Sequence, residues 1–314
     1  MRALEVLFII LLLGLLGSSV YFLYLNFPGE KIEFIPVSEN NKNRIEYNNK
    51  IYANRSTQFF QNMRFPEKRI SYKIENECDL KKRGQVLEAL KIFEGRTVLT
   101  FYPSDMNPEI VVTCSDLAPD PEAKGHFVAG EGGPVEVINT SLYSVIFSGK
   151  ISLFRDDKCK EPRVSVHELF HVFGFDHNNN PNSILYPTLD CEQKIDQYLI
   201  DEINRLYSVK GMPDLKVENI EASKAGRYLS FEIEVLNQGL KDAKDVMLSI
   251  YSDEVFVEKF ELNDIDVGTK KILTVENLKI RRSSKNVVFI VDEKNRIDEI
   301  FEDNNKVELV ISSS

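Results

Sequence analysis

HELFHVFGFDH, residues 167–177, is the stretch whose reading decides the fold. His167 and His171 stand four apart, so a helix places both imidazoles on one face, one turn apart. Glu168 lies beside them. Gly174 can take the left-handed backbone that ends a helix, and the turn lets His177 swing back as a third ligand. Three neutral imidazoles leave one tetrahedral position open, which is the donor set of a catalytic zinc. Zinc in such a site polarises a carbonyl and acidifies water, and Glu168 is placed as general base. The chain has four histidines and three of them fill this pattern. The bland alternative is a set of histidines on an ordinary amphipathic helix. Phe170, Val172, Phe173 and Phe175 predict a buried helix, and a buried helix is the rigid support that ligands need.

Working outward, the pattern before the histidines is globular from about Arg69. Ile70, Tyr72 and Ile74 alternate as in a strand. Leu80 to Phe93 has helical spacing, with Val86, Leu87, Leu90 and Phe93 on one face. Residues 98–102, 109–113, 135–139 and 144–154 read as further strands. Residues 125–134, GHFVAGEGGP, are dense in glycine. They are read either as the rim of a cleft, where an edge strand can pair with a peptide, or as a plain surface loop. Gly130, Gly132 and Gly133 with Glu131 could instead wrap a calcium ion, and His126 reads as an ordinary hydrogen-bonded histidine. Asp176 is either an acceptor for a ligand imidazole or a turn residue.

The four cysteines are Cys78, Cys114, Cys159 and Cys191. An even count in an exported chain reads as two disulfides, with three pairings open. Nearest-neighbour pairing, Cys78–Cys114 and Cys159–Cys191, is favoured, and each loop is worth about 3–4 kcal/mol in the chain-entropy model.

The histidine motif, the turn SILYP at 183–187 and the closing segment EQKIDQYLIDEINRLY at 192–207 together resemble the metzincin zinc metallopeptidases, matrixins in particular. The resemblance covers roughly 66–210. It implies a twisted mixed sheet packed on the helix that carries His167 and His171, with an extended protein or peptide substrate along a sheet edge. By the same resemblance, Leu185, Tyr186 and Pro187 form the turn beneath the metal. Leu185 stands where the family has methionine, a swap of similar volume. Asn178 stands where matrixins have serine. The structural zinc and calcium ligands of animal matrixins are not recognisable.

The last hundred residues change character. Alternating runs at 227–236, 245–251, 271–275, 286–291 and 306–311 predict a β-sandwich. VLNQG at 235–239 and VDEKNRIDEIFEDNN at 291–305 resemble the CARDB-type module, an immunoglobulin-like fold. By analogy such a module binds a cell-surface partner. Asp292, Asn295, Glu299 and Asn304 read either as calcium ligands or as a turn that caps the last strands.

At the other end, Val6 to Leu25 is uncharged and almost wholly apolar. Some twenty helical residues span about 30 Å, the thickness of a bilayer core. A single transmembrane anchor with the bulk of the chain outside is expected. A cleaved signal peptide is the alternative and yields a secreted protein.

The expected architecture is an anchor at 1–27, a stalk at 28–65, an α+β metzincin-like domain at 66–210 and an all-β immunoglobulin-like sandwich at 213–314. The expected activity is that of an extracytoplasmic zinc endopeptidase with a single catalytic zinc ion. The alternative is a catalytically silent adhesin that works through the sandwich. The net charge of −10 argues against a nucleic-acid partner.

Overall fold

The computed structural model describes residues 3–26, 31–37, 57–120, 127–156 and 158–311. His126 lies outside them. The chain forms two compact units. One comprises Asn41–Asp214 with Gln238–Asp242, and the other Met1–Asn40, Leu215–Asn237 and Ala243–Ser314. Helix α1 (Ala3–Asn26) and strand β1 (Lys31–Pro36) belong to the latter.

The unit that holds the histidines is built on a mixed sheet. Its strands are β2 (Met63–Arg64), β3 (Arg69–Ile74), β4 (Thr100–Pro103), β5 (Ile110–Cys114), β6 (Gly130–Asn139) and β7 (Ser144–Leu153). The order is β2-β7-β5-β3-β4, all parallel, with β6 antiparallel to β7 as an edge. Helix α2 (Leu80–Arg96) starts at Asp79, whose carboxylate accepts from the N–H groups of Lys81 and Lys82, both at 2.8 Å. That satisfies donors a helix start leaves unpaired. Its buried apolar face is Val86, Ala89, Leu90 and Phe93, with Leu87 exposed. Helices α3 (Arg163–Val172) and α4 (Gln197–Leu206) follow. The aromatic rings of α3 fill the core: Phe93 lies 4.6 Å from Phe170 and 5.7 Å from Phe173. Each such buried ring contributes about 1.5–3 kcal/mol. Disulfides join Cys78 to Cys114 and Cys159 to Cys191.

A buried arginine closes this unit. Arg64 is 1% exposed. Its guanidinium donates to the carbonyls of Leu206, Val209, Pro66 and Phe65 and lies 4.4 Å over the Tyr207 ring. The Tyr207 hydroxyl accepts from Phe65 N–H at 2.9 Å. The start and the end of the unit are thus tied by a charge whose hydrogen bonds offset its desolvation.

The other unit is an antiparallel sandwich. β8 (Leu215–Ala225), β9 (Tyr228–Asn237), β10 (Ala243–Ser252), β11 (Val255–Ile265), β12 (Lys270–Lys279), β13 (Asn286–Val291) and β14 (Lys306–Ile311) follow in sequence. The order β11-β10-β13-β14-β1-β8-β9-β12 puts β1 at the seam. Its first half pairs with β8 (Lys31↔Ala225) and its second with β14 (Phe34↔Ile311). Inward residues alternate along each strand, as in Leu229, Phe231, Ile233 and Val235.

The stalk expected at 28–65 is therefore corrected at both ends. Lys31–Pro36 is a sandwich strand, and Met63–Arg64 is a strand of the histidine unit. The sequence offered little sign of either, because a six-residue strand with one buried side chain carries almost no alternation. β8 and β11 were likewise unmarked by sequence pattern, being charged on their outer faces. The closing helix is also shorter than the expected 192–207, since Asp190 to Asp196 are held in turns and α4 begins at Gln197.

Phe34 is 7% exposed within the sandwich core. Phe34→Ala should destabilise that unit by about 3–4 kcal/mol, measured as a lowered urea midpoint for the sandwich transition. A stalk residue would leave the midpoint unchanged.

Candidate metal centre

The three histidines of the motif converge. Their Nε2 atoms stand 2.9 Å (His167–His171), 3.1 Å (His167–His177) and 3.2 Å (His171–His177) apart. Tetrahedral nitrogens around zinc, at roughly 2.0–2.1 Å each, would stand about 3.3 Å apart, so the observed triangle is close to a ligand triangle. The other ring nitrogens explain why. His167 Nδ1–H donates to Ile184 O at 2.6 Å, and His171 Nδ1–H donates to Phe175 O at 2.7 Å. A carbonyl only accepts, so the proton of each neutral ring sits on Nδ1 and the Nε2 lone pair points inward. Lone pairs that face one another at this distance repel, and a cation between them removes the repulsion. The cluster can hold a metal such as zinc.

Electrostatics favour the ligand form. Burial, then the neighbouring His171 and His177, push the His167 pKa down to about 3. Burial also lowers His171 and His177. Each shift favours the neutral, ligand form of the ring. Glu168 moves the other way: burial, then the charge of Glu131, raise it to about 8, against a hydrogen bond from Gly132 N–H that favours the carboxylate.

Local sequence sets this geometry. Pro162 precedes the first turn of α3, where its missing N–H costs nothing. At the other end Gly174 has φ +82° and its N–H bonds His171 O at 2.8 Å, while Phe175 N–H reaches Phe170 O. This left-handed stop turns the chain and brings Phe175 O under His171. A side chain at Gly174 would also strike Met63. Asp176 proves to be a turn residue, with its carboxylate accepting from His177 N–H at 2.7 Å.

Leu185 is fully buried, and Ile184 O is the acceptor that orients His167. Tyr186 is half-buried and Pro187 exposed. Asn178 Nδ2 donates to Ser183 Oγ at 2.7 Å and to the Tyr198 hydroxyl at 3.0 Å, and Ser183 donates to Asp196. Asn178, which departs from the matrixin pattern, therefore ties the loop after His177 to the turn and to α4.

The glycine stretch resolves into packing. A Cβ at Gly132 would lie 2.3 Å from Glu168 O, and one at Gly130 would lie 2.9 Å from Glu168 Cγ. These glycines let edge strand β6 run directly against α3. Gly149 makes the same allowance for Val172. In the sandwich, Asp292 accepts from Ile297 N–H and Glu299 from Leu215 N–H and Asn305, so both carboxylates cap backbone and turns.

Sequence reasoning missed the strap at Thr57–Phe59. Asp176 N–H bonds Thr57 O, Phe59 N–H bonds Gly174 O, and Gln58 Nε2 reaches Met63 O and Phe173 O. Phe59 stacks 6.1 Å from the His171 ring. The only signal was the aromatic pair Phe59-Phe60 in a polar segment.

A family model described as CARDB matches residues 212–309. Residues 212–309 form a CARDB domain. A putative cell surface protein domain from Methanosarcina acetivorans is similar at 18% identity and TM-score 0.28, over 33% of this chain and 94% of its own. A CARDB domain from Pyrococcus furiosus, solved with di-metal ions, is similar at 21% identity and TM-score 0.27, over 32% and 93%. High choriolytic enzyme 1, a hatching-enzyme zinc protease of the medaka Oryzias latipes, is similar at 17% identity and TM-score 0.30, over 46% and 90%. No curated protein matches the chain.

Two outcomes follow from the packing and the buried carboxyl. Gly132→Ala should lower the melting temperature sharply, by an amount matching about 2 kcal/mol or more, whereas Gly133→Ala, with open space at its Cβ, should cost little. In the metal-free protein, a carboxyl with a raised folded pKa contributes stability below its unfolded value of 4.5 and loses it as pH rises through about 8. With chelator present, Glu168→Gln should melt above the parent at pH 8, and the gap should close towards pH 4.5. A gap independent of pH would contradict the burial of the carboxyl.

Proposed function

We propose that the histidine unit is a zinc-dependent endopeptidase held at the outer face of a membrane by α1. The observation that carries the reading is the convergence of three histidine Nε2 atoms beside a buried carboxyl on the helix that bears two of them. His167, His171 and His177 would hold the zinc. When bound, zinc supplies Lewis-acid polarisation of a carbonyl and acidification of water. Glu168, held by Gly132 N–H, accepts a proton from the attacking water and passes it to the leaving amine. Burial raises the pKa of this carboxyl in the metal-free protein, and a cation held by the histidines would favour the carboxylate form that accepts a proton. Edge strand β6 offers its free backbone groups to an extended peptide. Ile184 O and Phe175 O fix the ring orientation throughout.

The apolar stretch Val6–Tyr24 of α1 is none of it buried in the protein. With two disulfides, it points to export. Its length supports a retained anchor over a cleaved leader.

The test compares the ectodomain, residues 31–314, with its Glu168→Ala variant. Neither hydrophobic core contains an α1 residue, so the ectodomain keeps its fold. Zinc content should be equal in the two proteins. Cleavage of an unfolded protein substrate should be chelator-sensitive in the parent and reduced at least about a thousandfold in the variant. Absence of zinc from the folded parent sinks the proposal.

A further inference from the structure

The sandwich is electrically polarised along its strands. Only residues 27–30 separate α1 from β1, so Lys31 lies at most about 17 Å from the end of α1. Lys31 pairs with Ala225 at the tip of the β8–β9 hairpin, and Ile280 N–H bonds Arg227 O. The β8–β9 hairpin and the loop after β12 therefore share the end of the sandwich from which α1 departs. That end carries Lys31, Arg227, Lys279, Arg281, Arg282 and Lys285, with Asp253 and Glu254 as its nearby acids, Glu33 two residues up β1, and Glu308, whose carboxylate accepts from Asn286 Nδ2. Asp253 is engaged by the N–H groups of Lys285 and Asn286. The opposite end, at 292–303, carries Asp292, Glu293, Asp298, Glu299, Glu302 and Asp303 against Lys294 and Arg296. In a chain of net charge −10 the basic end is a local reversal.

The basic loop is held in place. Lys224 is buried, and its ammonium donates to Arg282 O at 2.9 Å and Ser284 O at 2.6 Å. Arg282 lies 4.2 Å over the Tyr24 ring and donates to Tyr24 O. Tyr24, with Tyr21 one turn earlier, is the residue type that sits at a headgroup boundary. The Arg227 Nε is buried without a hydrogen-bond partner.

We propose that this end of the sandwich docks on the anionic headgroups of the bilayer that α1 enters, so that Arg281, Arg282 and Lys285 fix the module against the membrane surface. The choice of occupant rests on the four-residue link and on charge. Cations this close to the bilayer lie within reach of its negative surface potential, which decays over a Debye length of about 8 Å. The tether also raises the effective concentration of the patch at the surface, so weak individual contacts suffice. The proposal rests on the retained anchor of the preceding subsection.

The experiment is co-sedimentation of the ectodomain with phosphatidylcholine vesicles, with and without roughly one third phosphatidylglycerol. The parent should bind anionic vesicles about tenfold better than neutral ones, and high salt should abolish the difference. The double variant Arg281→Glu, Lys285→Glu should lose that preference. Lys294→Glu, Arg296→Glu makes the same change in net charge at the opposite end and should keep it. All four side chains are exposed, so neither variant disturbs the core. Equal loss in the two variants, equal binding to neutral vesicles, or no binding by the parent overturns the proposal. Binding of a soluble polyanion in preference to anionic vesicles would assign the patch to a surface polymer instead and also overturn it. The mass of the membrane-extracted protein tests the anchor separately. A cleaved α1 would remove the tether while leaving the vesicle result readable.

Discussion

Three imidazole Nε2 atoms held about 3 Å apart, two of them with their lone pairs turned inward, are an arrangement that a chain does not adopt for its own stability. Everything around them in the histidine unit is organised to hold that arrangement. Two carbonyls, one from the turn at Ile184 and one from the helix stop at Phe175, fix the ring protons on the outer nitrogens. The helix that carries the first two rings is buried on all sides from Val164 to Val172. The glycines at 130, 132 and 149 then allow the sheet to come closer to that helix than any side chain would permit. Removal of water around His167, His171 and Glu168 favours the neutral form of the two rings and of the carboxyl alike.

The site was legible in the sequence to an unusual degree because its chemistry is local. The histidines 167, 171 and 177 and the helix stop at Gly174 fall within eleven residues, and helix geometry alone brings the first two together. The disulfide pairing was legible for a similar reason, since each bond closes a short stretch. What escaped depended on contacts between distant segments. The strap Thr57–Phe59 is positioned by backbone hydrogen bonds to Gly174 and Asp176, and backbone bonds leave no mark on residue choice. The glycines of β6 were visible as glycines, but only the approach of Glu168 tells that they are there for packing. The seam strand β1 was invisible, because a strand that divides its pairing between two neighbours buries only Phe34.

Two residues around the turn after the histidines brace the site. Leu185 fills a fully enclosed volume next to Ile184, whose carbonyl orients His167. Asn178 offers an amide that bonds both Ser183 and Tyr198. A serine there could donate to one of them at most. The loop after the third histidine is thus braced by a different set of bonds.

The seam strand has a consequence for how the molecule is made. Phe34 pairs with Ile311, so the sandwich joins one end of the chain to the other, with the whole histidine unit encoded between them. Residues 31–36 pair with β8 and with β14, both of which follow the histidine unit in sequence, so the sandwich cannot close until that span has been passed over. The histidine unit can close its core in the meantime, since its contacts lie within its own span. A module excised at residue 212 would lack the strand that bridges its two faces.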